Sequence, residues 1–386
     1  MNLSVAKKVV LGMSGGVDSS VAAKLLKAQG YEVLGVTLKV WEEEDEATTS
    51  KRWQERGCCK VGIAKHVAEL LGISHQVIDT REAFQQGVID DFIGGYLQGT
   101  TPNPCVRCNE RVKFGGLFRV AEQLGADFIA TGHYATLQRD EAGTSFLARG
   151  RDSKKDQSYF LYRIPAKWLS KMLFPLADME KPQVWAEAEA MGLPVEELKE
   201  SQEICFVTQG DYREFLKEHA PQATNPGNFV DAEGHELGQH EGVAFYTPGQ
   251  RKGLGIATGN RVYVQRVVPD LNLVVLGPPE DLDTTTCQVA DLNIFSRENL
   301  KEGQRIDVKF RYGSPPVPAT LHWDSETSIC VTFEFPVRAL RPGQSAVFYQ
   351  GDRVLGGGII QAPKAPAHIS PPVVSGPDAR IESVVR

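Results

Sequence analysis

The sequence predicts an α/β protein: a doubly wound domain on a parallel sheet, followed by two small β domains, the second a β-barrel. Three observations carry this expectation. Strand-like and helix-like patterns alternate from residue 1 to about 135, which calls for parallel strands joined by helical crossovers with ligands at the carboxyl ends of the strands. After Asn225-Pro226-Gly227 the texture changes to recurring glycines and short alternating strands. A second all-β stretch then runs from about 287 to 361, with the evenly spaced short strands of a small barrel. The expected division is an α/β domain with a helical extension over 1–210, a central β-rich domain over 211–286 and a barrel over 287–362. The Pro-rich tail 363–386 is expected to be disordered.

The elements follow in order. Val9-Val10-Leu11-Gly12-Met13 is short, apolar and β-branched at its start, the pattern of a buried strand. A helical pattern begins at Val21 and reaches Lys27, and Tyr31 to Val40 reads as a second strand. The acidic block Glu42 to Glu46 reads as a solvated loop. Cys58 to Leu71 reads as a helix, Ile73 to Asp79 as a strand, Glu82 to Leu97 and Val112 to Leu124 as helices, and Asp127 to Thr131 as a strand. Leu137 to Arg149 reads as a hairpin around Glu141-Ala142-Gly143. Residues 165–220 turn helical, with Lys181-Pro182-Gln183 opening one helix at its first turn. Beyond them, strands are expected at Arg261 to Val267, Leu273 to Leu276, Arg305 to Arg311, Ile329 to Phe335 and Ser345 to Tyr349.

Composition bounds the function. A chain of 386 residues, 41% hydrophobic and 24% charged, suits a soluble globular protein of two or three domains. Its apolar runs are too short to span a bilayer, and Met1 to Lys8 lacks the apolar core of a signal peptide, so a cytoplasmic enzyme with no membrane partner is expected. The net charge of −7 argues against broad non-specific nucleic-acid binding but leaves room for a local basic face. Seven cysteines, an odd number, point to catalytic, metal-binding or core thiols rather than a disulfide framework.

The most informative stretch is Ser14-Gly15-Gly16-Val17-Asp18-Ser19-Ser20, set between the first strand and the first helix. A Ser-Gly-Gly turn lets the backbone approach an anion, and its amides and the positive helix end favour phosphate. Asp18 can hold a phosphate-bound Mg²⁺, and the Ser14, Ser19 and Ser20 hydroxyls can bond phosphate oxygens. No Gly-Lys-Ser/Thr follows, so this is not a Walker A loop, and it is not a Gly-x-Gly-x-x-Gly turn either. It resembles the pyrophosphate loop (PP-loop) of ATP pyrophosphatases, which implies that the loop binds ATP.

Two cysteines sit where chemistry is expected. Thr101-Pro102-Asn103-Pro104-Cys105-Val106-Arg107-Cys108-Asn109 reads as a Pro-bounded loop leading into the helix at Val112, with Asn109 as its cap. Arg107, Arg111 and the helix end would lower the pKa of a neighbouring thiol. Gln202-Glu203-Ile204-Cys205-Phe206 sets another thiol among bulky apolar residues. On spacing alone, Cys205 is equally a buried core thiol, and Cys105 with Cys108 a metal-type Cys-x-x-Cys.

Eight segments in one order bear on that choice: Gly12-Met13-Ser14-Gly15-Gly16-Val17-Asp18-Ser19, Thr101 to Pro104, Cys108-Asn109, Ala130 to Tyr134, Lys155 to Leu161, Ile204 to Phe206, Gly249 to Gly255 and Pro342 to Val347. Together they resemble the tRNA-specific 2-thiouridylase family over nearly the whole chain to about 361. The resemblance implies that ATP adenylates O2 of the wobble uridine of tRNA and that a persulfide sulfur displaces AMP to give 2-thiouridine. It implies Cys108 as nucleophile and Cys205 as the persulfide carrier, with ATP at Gly12, Met13, Ser14, Gly15, Gly16, Val17, Asp18, Ser19, Leu38 and Gly132. It places Asn103, Pro104 and Cys105 around the target base. His133, Lys155, Asp156, Gln157, Arg311, Tyr312 and Gln344 match its tRNA contacts. ATP with Mg²⁺, a tRNA with a wobble uridine, and a persulfide donor protein such as a cysteine desulfurase or sulfur relay protein are thereby implied, with no metal site in the protein itself. Cys105 stands where some members carry Asp and others Cys.

The remaining residues read more plainly. Cys287 and Cys330 are expected as core thiols, and Cys58-Cys59 as a core or surface pair rather than a metal site. Lys301, Arg305, Lys309 and Arg311 would make one face of a strand positive, either solvated or facing RNA. Three other functions compete: an amide-forming ATP pyrophosphatase using ammonia, a non-catalytic RNA-binding protein that keeps a nucleotide site, and an iron–sulfur protein with its cluster on Cys105, Cys108 and Cys205.

Overall fold

The computed structural model describes residues 6–41, 60–193, 195, 204–207, 211–256 and 259–363. The acidic block Glu42 to Glu46, the Cys58-Cys59 pair and the tail after Pro363 lie outside the described residues.

β1 (Lys8–Gly12) buries Val9, Val10 and Leu11 completely, as a strand covered on both faces must. α1 (Val17–Ala28) starts a turn earlier than the apolar pattern indicates, because Ser19 and Ser20 bond the Gly16 carbonyl and pack inside the first turn. β2 (Glu32–Lys39), α2 (Val61–Leu71) and β3 (Ser74–Asp79) follow. Two helical runs come next, each widened by a π turn. The first is α3 (Arg81–Phe84), the π turn Gln85–Ile89 and α4 (Asp90–Leu97). The second is α5 (Pro104–Arg107), the π turn Cys108–Lys113 and α6 (Phe114–Gln123). β4 (Phe128–Thr131), the hairpin β5 (Ala135–Arg139) and β6 (Ser145–Arg149), and the short β7 (Met172–Leu173) complete the strands of this half. The first sheet runs β3-β2-β1-β4-β7 with parallel pairing throughout, the architecture expected of the α/β domain. α7 (Lys181–Ala190) opens with Pro182 in its first turn, and α8 (Tyr212–His219) leads to the β half. Among the described residues, no helix is long and apolar enough to cross a membrane.

The central unit is a four-stranded sheet of β8 (Gly227–Val230), β9 (Glu236–His240), β10 (Tyr263–Val268) and β11 (Leu273–Gly277), ordered β10-β11-β8-β9. The last unit comprises β12 (Asp283–Ile294), β13 (Arg305–Lys309), β14 (Val317–Trp323), β15 (Ile329–Arg338), β16 (Ser345–Gln350) and β17 (Arg353–Ile360). Their order β12-β15-β14-β13-β16-β17 closes through β12–β17 pairing into the expected barrel. Closure removes the open edges. The β5–β6 hairpin, which the sequence leaves with the α/β domain, joins the far end of this sheet: Arg353 pairs with Ala148, and the Arg149 amide donates to the Asp352 carbonyl at 3.0 Å.

One hydrophobic core runs through all three units, from Val10 and Val36 through Cys108 and Phe114 to Phe229, Val347 and Tyr349. Its keystone is the segment 158–163. Tyr159 and Tyr162 are fully buried, and the Tyr159 hydroxyl donates to the barrel carbonyls of Phe310 and Ser345, both at 3.2 Å.

Two expectations about the barrel need correction. The basic stripe does not form, since β13 stops at Lys309, Arg311 turns back to donate to the Ala339 carbonyl at 2.6 Å, and Arg305 pairs with Glu334. Only one of the two barrel cysteines is a core thiol. Cys287 lies opposite Val331 and packs on the barrel core, where burial and then Cys330 push its pKa up to about 12. Cys330 lies opposite the exposed Gln288 and His322, on the outer face.

Candidate active site

The phosphate loop leaves the sheet under tight control. The Met13 amide donates to the Val36 carbonyl at 2.8 Å, and the Thr37 hydroxyl donates to the Met13 carbonyl at 2.7 Å. Gly15 has φ +77°, and a Cβ there would sit 2.2 Å from the Lys60 carbonyl oxygen, so only glycine fits. Gly16 is the N-cap of α1, and no side chain caps the helix. The Ser19 and Ser20 hydroxyls instead donate to the Gly16 carbonyl, at 3.0 Å each. The first-turn amides and the positive end of α1 are thus presented to an outside acceptor. Gly132 follows β4, and a Cβ there would lie 2.8 Å from the Asp18 carbonyl carbon and the Ser19 nitrogen. Its lack of a side chain lets the end of β4 abut the loop. Buried Leu38 leans on α6, 3.3 Å from where a Gly116 Cβ would be. A positive-φ glycine turn and an uncapped helix fit a nucleotide phosphate chain, whereas the Ser19 and Ser20 hydroxyls, expected to bond phosphate oxygens, are buried and donate to the Gly16 carbonyl instead.

Asp18 does not stand alone. Lys181 Nζ lies 2.7 Å from Asp18 Oδ1, and the Tyr134 hydroxyl donates to the same oxygen at 2.7 Å. The Lys181 side chain is only 8% exposed and runs between the rings of Tyr134 and Trp185. Sequence reasoning missed both partners. Lys181 reads as a helix opener before Pro182, and only the packing of α7 on α1 brings its amine to the loop.

The cysteine segment differs from the expected loop. Asn103 is the cap, its Oδ1 accepting from the Val106 amide at 3.3 Å, with Pro104 in the first turn. The helix therefore begins at Pro104 and not at Val112. Asn109 lies inside it and donates from Nδ2 to the Phe160 carbonyl at 3.1 Å. Cys105 is exposed in the first turn, and buried Cys108 opens the π turn. The two π turns abut, with Arg111 donating to the Gly87 carbonyl at 3.0 Å. The expected help of Arg107 and Arg111 to the thiol is offset by carboxylates. Arg107 reaches Asp91 at 3.5 Å, Glu110 at 3.0 Å and Asp291 at 3.0 Å, and Arg111 reaches Asp91 at 2.9 Å.

Cys205 is half-buried against the same core as Cys108. Phe206 anchors its turn, edge-on to Phe84 at 5.7 Å and Phe92 at 5.2 Å and tilted against Phe215 at 5.1 Å. Of the three thiols, Cys105 is exposed, Cys108 buried and Cys205 between the two. Among the described residues, the group close enough to share a metal ion is exposed Asp231, Glu233 and His235, not these cysteines, so the arrangement gives no support to a cluster on the three thiols.

The residues matched to tRNA contacts separate into two sets. Asp156 is buried, accepting from the Gly150 and Ser158 amides at 3.1 Å each and from the Ser158 hydroxyl at 2.9 Å. Gln157 accepts from the Tyr134 amide at 3.0 Å, and Gln344 donates to the Thr101 carbonyl at 2.8 Å. Asp156 is thus engaged inside the fold, while half-buried Gln157 and Gln344 each engage one end of the amide. Tyr312 is exposed beside Phe160, with the Lys309 amine 5.5 Å from its ring centroid. Lys155 follows a turn bonded to Asp152. His133 accepts from or donates to the Thr131 hydroxyl at 2.8 Å and stacks on Phe114. Burial, and to a smaller extent Lys113, push its pKa down to about 3, so its imidazole is neutral at physiological pH. A cavity of about 270 Å³ lies beside Asn103, bordered by Thr100, Pro102, Arg107 and the barrel residues Gly343 and Ser345.

The architecture is that of a PP-loop-type α/β domain joined to two β units. Residues 7–209 match the family described as tRNA methyl transferase HUP domain, 213–278 the tRNA methyl transferase PRC-barrel domain and 284–360 the aminomethyltransferase beta-barrel domain. Relatives named tRNA-specific 2-thiouridylase MnmA include that of Clostridioides difficile, 45% identical over 92% of this chain and 98% of its own length. That of Moorella thermoacetica is 46% identical over 92% and 99%, and that of Desulforamulus reducens 45% over 93% and 98%. The chain belongs to the tRNA-specific 2-thiouridylase family.

Proposed function

We propose that the chain is a tRNA-uridine 2-sulfurtransferase: ATP activates O2 of the wobble uridine, and sulfur from a protein persulfide replaces that oxygen. The observation that carries this reading is the continuity of the Cys108 helix with α6, which borders the carboxyl edge of the sheet at Gly12. α6 packs on β1 and β4 beside the phosphate loop, with Leu117 3.1 Å from where a Gly12 Cβ would be. A nucleotide on Gly12 to Ser19 and a base near Asn103, Pro104 and Cys105 would then share that edge.

The chemistry requires both halves. A pyrimidine carbonyl oxygen is a poor leaving group, and its transfer to the α-phosphorus of ATP, with loss of pyrophosphate, makes AMP the leaving group. Mg²⁺ held with the phosphates by Asp18 would supply charge neutralisation at the pyrophosphate. Leu38 and Gly132 would flank the adenine and ribose. The terminal sulfur of a Cys205 persulfide then bonds to C2 as the C2–O bond to AMP breaks. The Cys108 thiolate then attacks Cys205 Sγ, breaking its bond to the transferred sulfur, which keeps the electron pair as the 2-thiouridine sulfur. The resulting Cys108–Cys205 disulfide is returned to two thiols by an external dithiol. A persulfide donor protein such as a cysteine desulfurase or relay protein would reload Cys205.

Exposed Tyr312, with Lys155, His133 and Arg311, would meet the tRNA directly, while Asp156, Gln157 and Gln344 hold the segments that do. A wobble base must leave its stack to reach this edge, as single-stranded RNA bases do. Acting on tRNA, the enzyme would work in the cytoplasm.

Nucleoside mass spectrometry of tRNA incubated with the protein, ATP, Mg²⁺ and a persulfide donor tests the function. The expected product is 2-thiouridine at the wobble position, lost in Asp18→Ala with tRNA affinity retained. No 2-thiouridine with any of several donors would overturn the reading.

A further inference from the structure

Four cationic side chains converge where α8, the turn after Gln250 and the segment before β16 meet. Arg213, Arg251, Lys252 and Arg341 line a cavity of about 450 Å³, whose wall also carries Tyr212 and Tyr263. Among the described residues, none of the four cations is ion-paired to a carboxylate, in a chain whose net charge is −7. Like charges gathered without counter-charges repel one another, and a ligand rich in anionic oxygens relieves that repulsion. Burial, and then the nearby Arg311 guanidinium, push the Arg341 pKa below its ordinary value, which places a fifth cation at the same junction.

The cluster is held at a set distance from the thiol helix. Arg341 precedes Pro342, whose carbonyl accepts from the Thr101 amide at 2.7 Å, and Gln344 donates to the Thr101 carbonyl at 2.8 Å. Gly343, at φ +90°, leaves no room for a Cβ, which would sit 2.8 Å from the Thr101 nitrogen. On the other side Gly249, at φ +85°, presses the turn against Ala339, the residue whose carbonyl accepts from Arg311. A ligand in the cavity therefore sits in fixed register with Asn103 and Cys108.

Resting on the tRNA-modifying function above, we propose that this pocket seats backbone phosphates of the tRNA substrate, away from the reacting base, and so sets the register in which the anticodon loop enters. Phosphate contacts position a nucleic acid without reading its sequence. The pocket thus acts as an anchor, and the edge beside Cys108 as the reading site.

The test uses the full chain and three proteins: wild type, Arg251→Ala/Lys252→Ala and the charge-preserving Arg251→Lys/Lys252→Arg. Both positions are exposed, so the fold tolerates the changes. Affinity for substrate tRNA is measured from low to high salt, alongside ATP affinity and persulfide transfer from a donor protein. The alanine pair is expected to lower the slope of log affinity against log salt by about 2, close to 0.9 per phosphate contact. Its ATP affinity is expected to stay unchanged, and the charge-preserving pair to restore the slope. An unchanged tRNA affinity and slope overturns the proposal, as does a loss confined to persulfide transfer, which would mark a protein-docking surface. If the wild type binds tRNA but makes no 2-thiouridine, the functional reading fails instead; if it thiolates while the slope is unmoved, only the pocket assignment fails.

Discussion

At the scale of single residues, the two thiols differ in surroundings, and their variants are expected to fail differently. Cys205 is half-buried on a turn pinned by Phe206, a setting that shields a persulfide from water, while Cys108 is buried at the start of a π turn. Cys205→Ser is expected to carry no transferable sulfur. Cys108→Ser is expected to accept persulfide and yield little 2-thiouridine, and both should bind ATP. Alkylation with a mass tag reads the persulfide on each variant, and thiolation by Cys205→Ser with a protein donor would reverse the assignment. His133 supplies a pH prediction. In the unfolded chain its pKa is the ordinary 6.5, and in the fold it drops to about 3. Above 6.5 both states are neutral. As pH falls from 6.5 toward 3 only the unfolded chain takes up the proton, so this contribution to stability is lost by about 1.4 kcal/mol per pH unit in that window. The His133 ring resonances are expected to stay unshifted from pH 7.5 to 5, whereas a midpoint near 6.5 would show a solvated imidazole.

At the scale of elements, the phosphate turn depends on backbone that only glycine adopts. Gly15→Ala puts a methyl group into the Lys60 carbonyl at a positive φ. Strain of this kind is on the order of 1–3 kcal/mol, and the turn relieves it by opening. ATP affinity is expected to fall by tenfold or more, with tRNA affinity little changed, as titration calorimetry with each ligand would read. Equal loss of both would indicate a general folding defect. The Cys108 helix shows how an element shifts between sequence and structure. Pro104 stands where a Pro-bounded loop is expected, yet Pro is at home in a helical first turn, and Asn103 supplies the cap. The helix thus opens ahead of both cysteines, setting the exposed Cys105 at its N-terminus and Cys108 a turn inside.

At the scale of the whole molecule, the barrel is tied to the thiol helix by charge as well as by the apolar core. β12 carries a bulge at Asp291, whose φ of +49° turns its carboxylate toward the α/β domain. Asp291 Oδ1 meets Arg163 at 3.0 Å and Oδ2 meets Arg107 at 3.0 Å, while Arg163 Nε lies 2.8 Å from Glu110. Removing Arg163 leaves Glu110 and a half-exposed Asp291 short of a partner. Arg163→Met is expected to cost about 1–3 kcal/mol, less than for a fully buried pair because of Asp291's exposure. Urea unfolding measures the loss, and protease digestion is expected to cut the chain between the α/β domain and the barrel sooner. A stability within 0.5 kcal/mol of wild type, as for an ordinary surface change, would show that the apolar core alone holds the two together.

Much of this was legible in the chain. The β1–loop–α1 motif, the parallel sheet and the closed barrel follow from local pattern, because periodicity and glycine chemistry act over a few residues. Ser14 to Ser19 could be read as a phosphate site for the same reason. The partners of Asp18 could not. Lys181 is 163 residues away and Tyr134 is 116, and nothing near either marks it as belonging to the loop. Asp156, Gln157 and Gln344, which the resemblance matches to tRNA contacts, each engage a polar group within the fold, since a polar side chain's partner is chosen by packing. The carboxylates that meet Arg107, and the gathering of Arg213, Arg251, Lys252 and Arg341 into one pocket, are likewise products of tertiary contact. The elements and the chemistry of the nucleotide turn are set locally, because they depend on neighbours along the chain. Which charges are paired, which thiol is buried and which cations stand together were decided only when distant segments packed on one core.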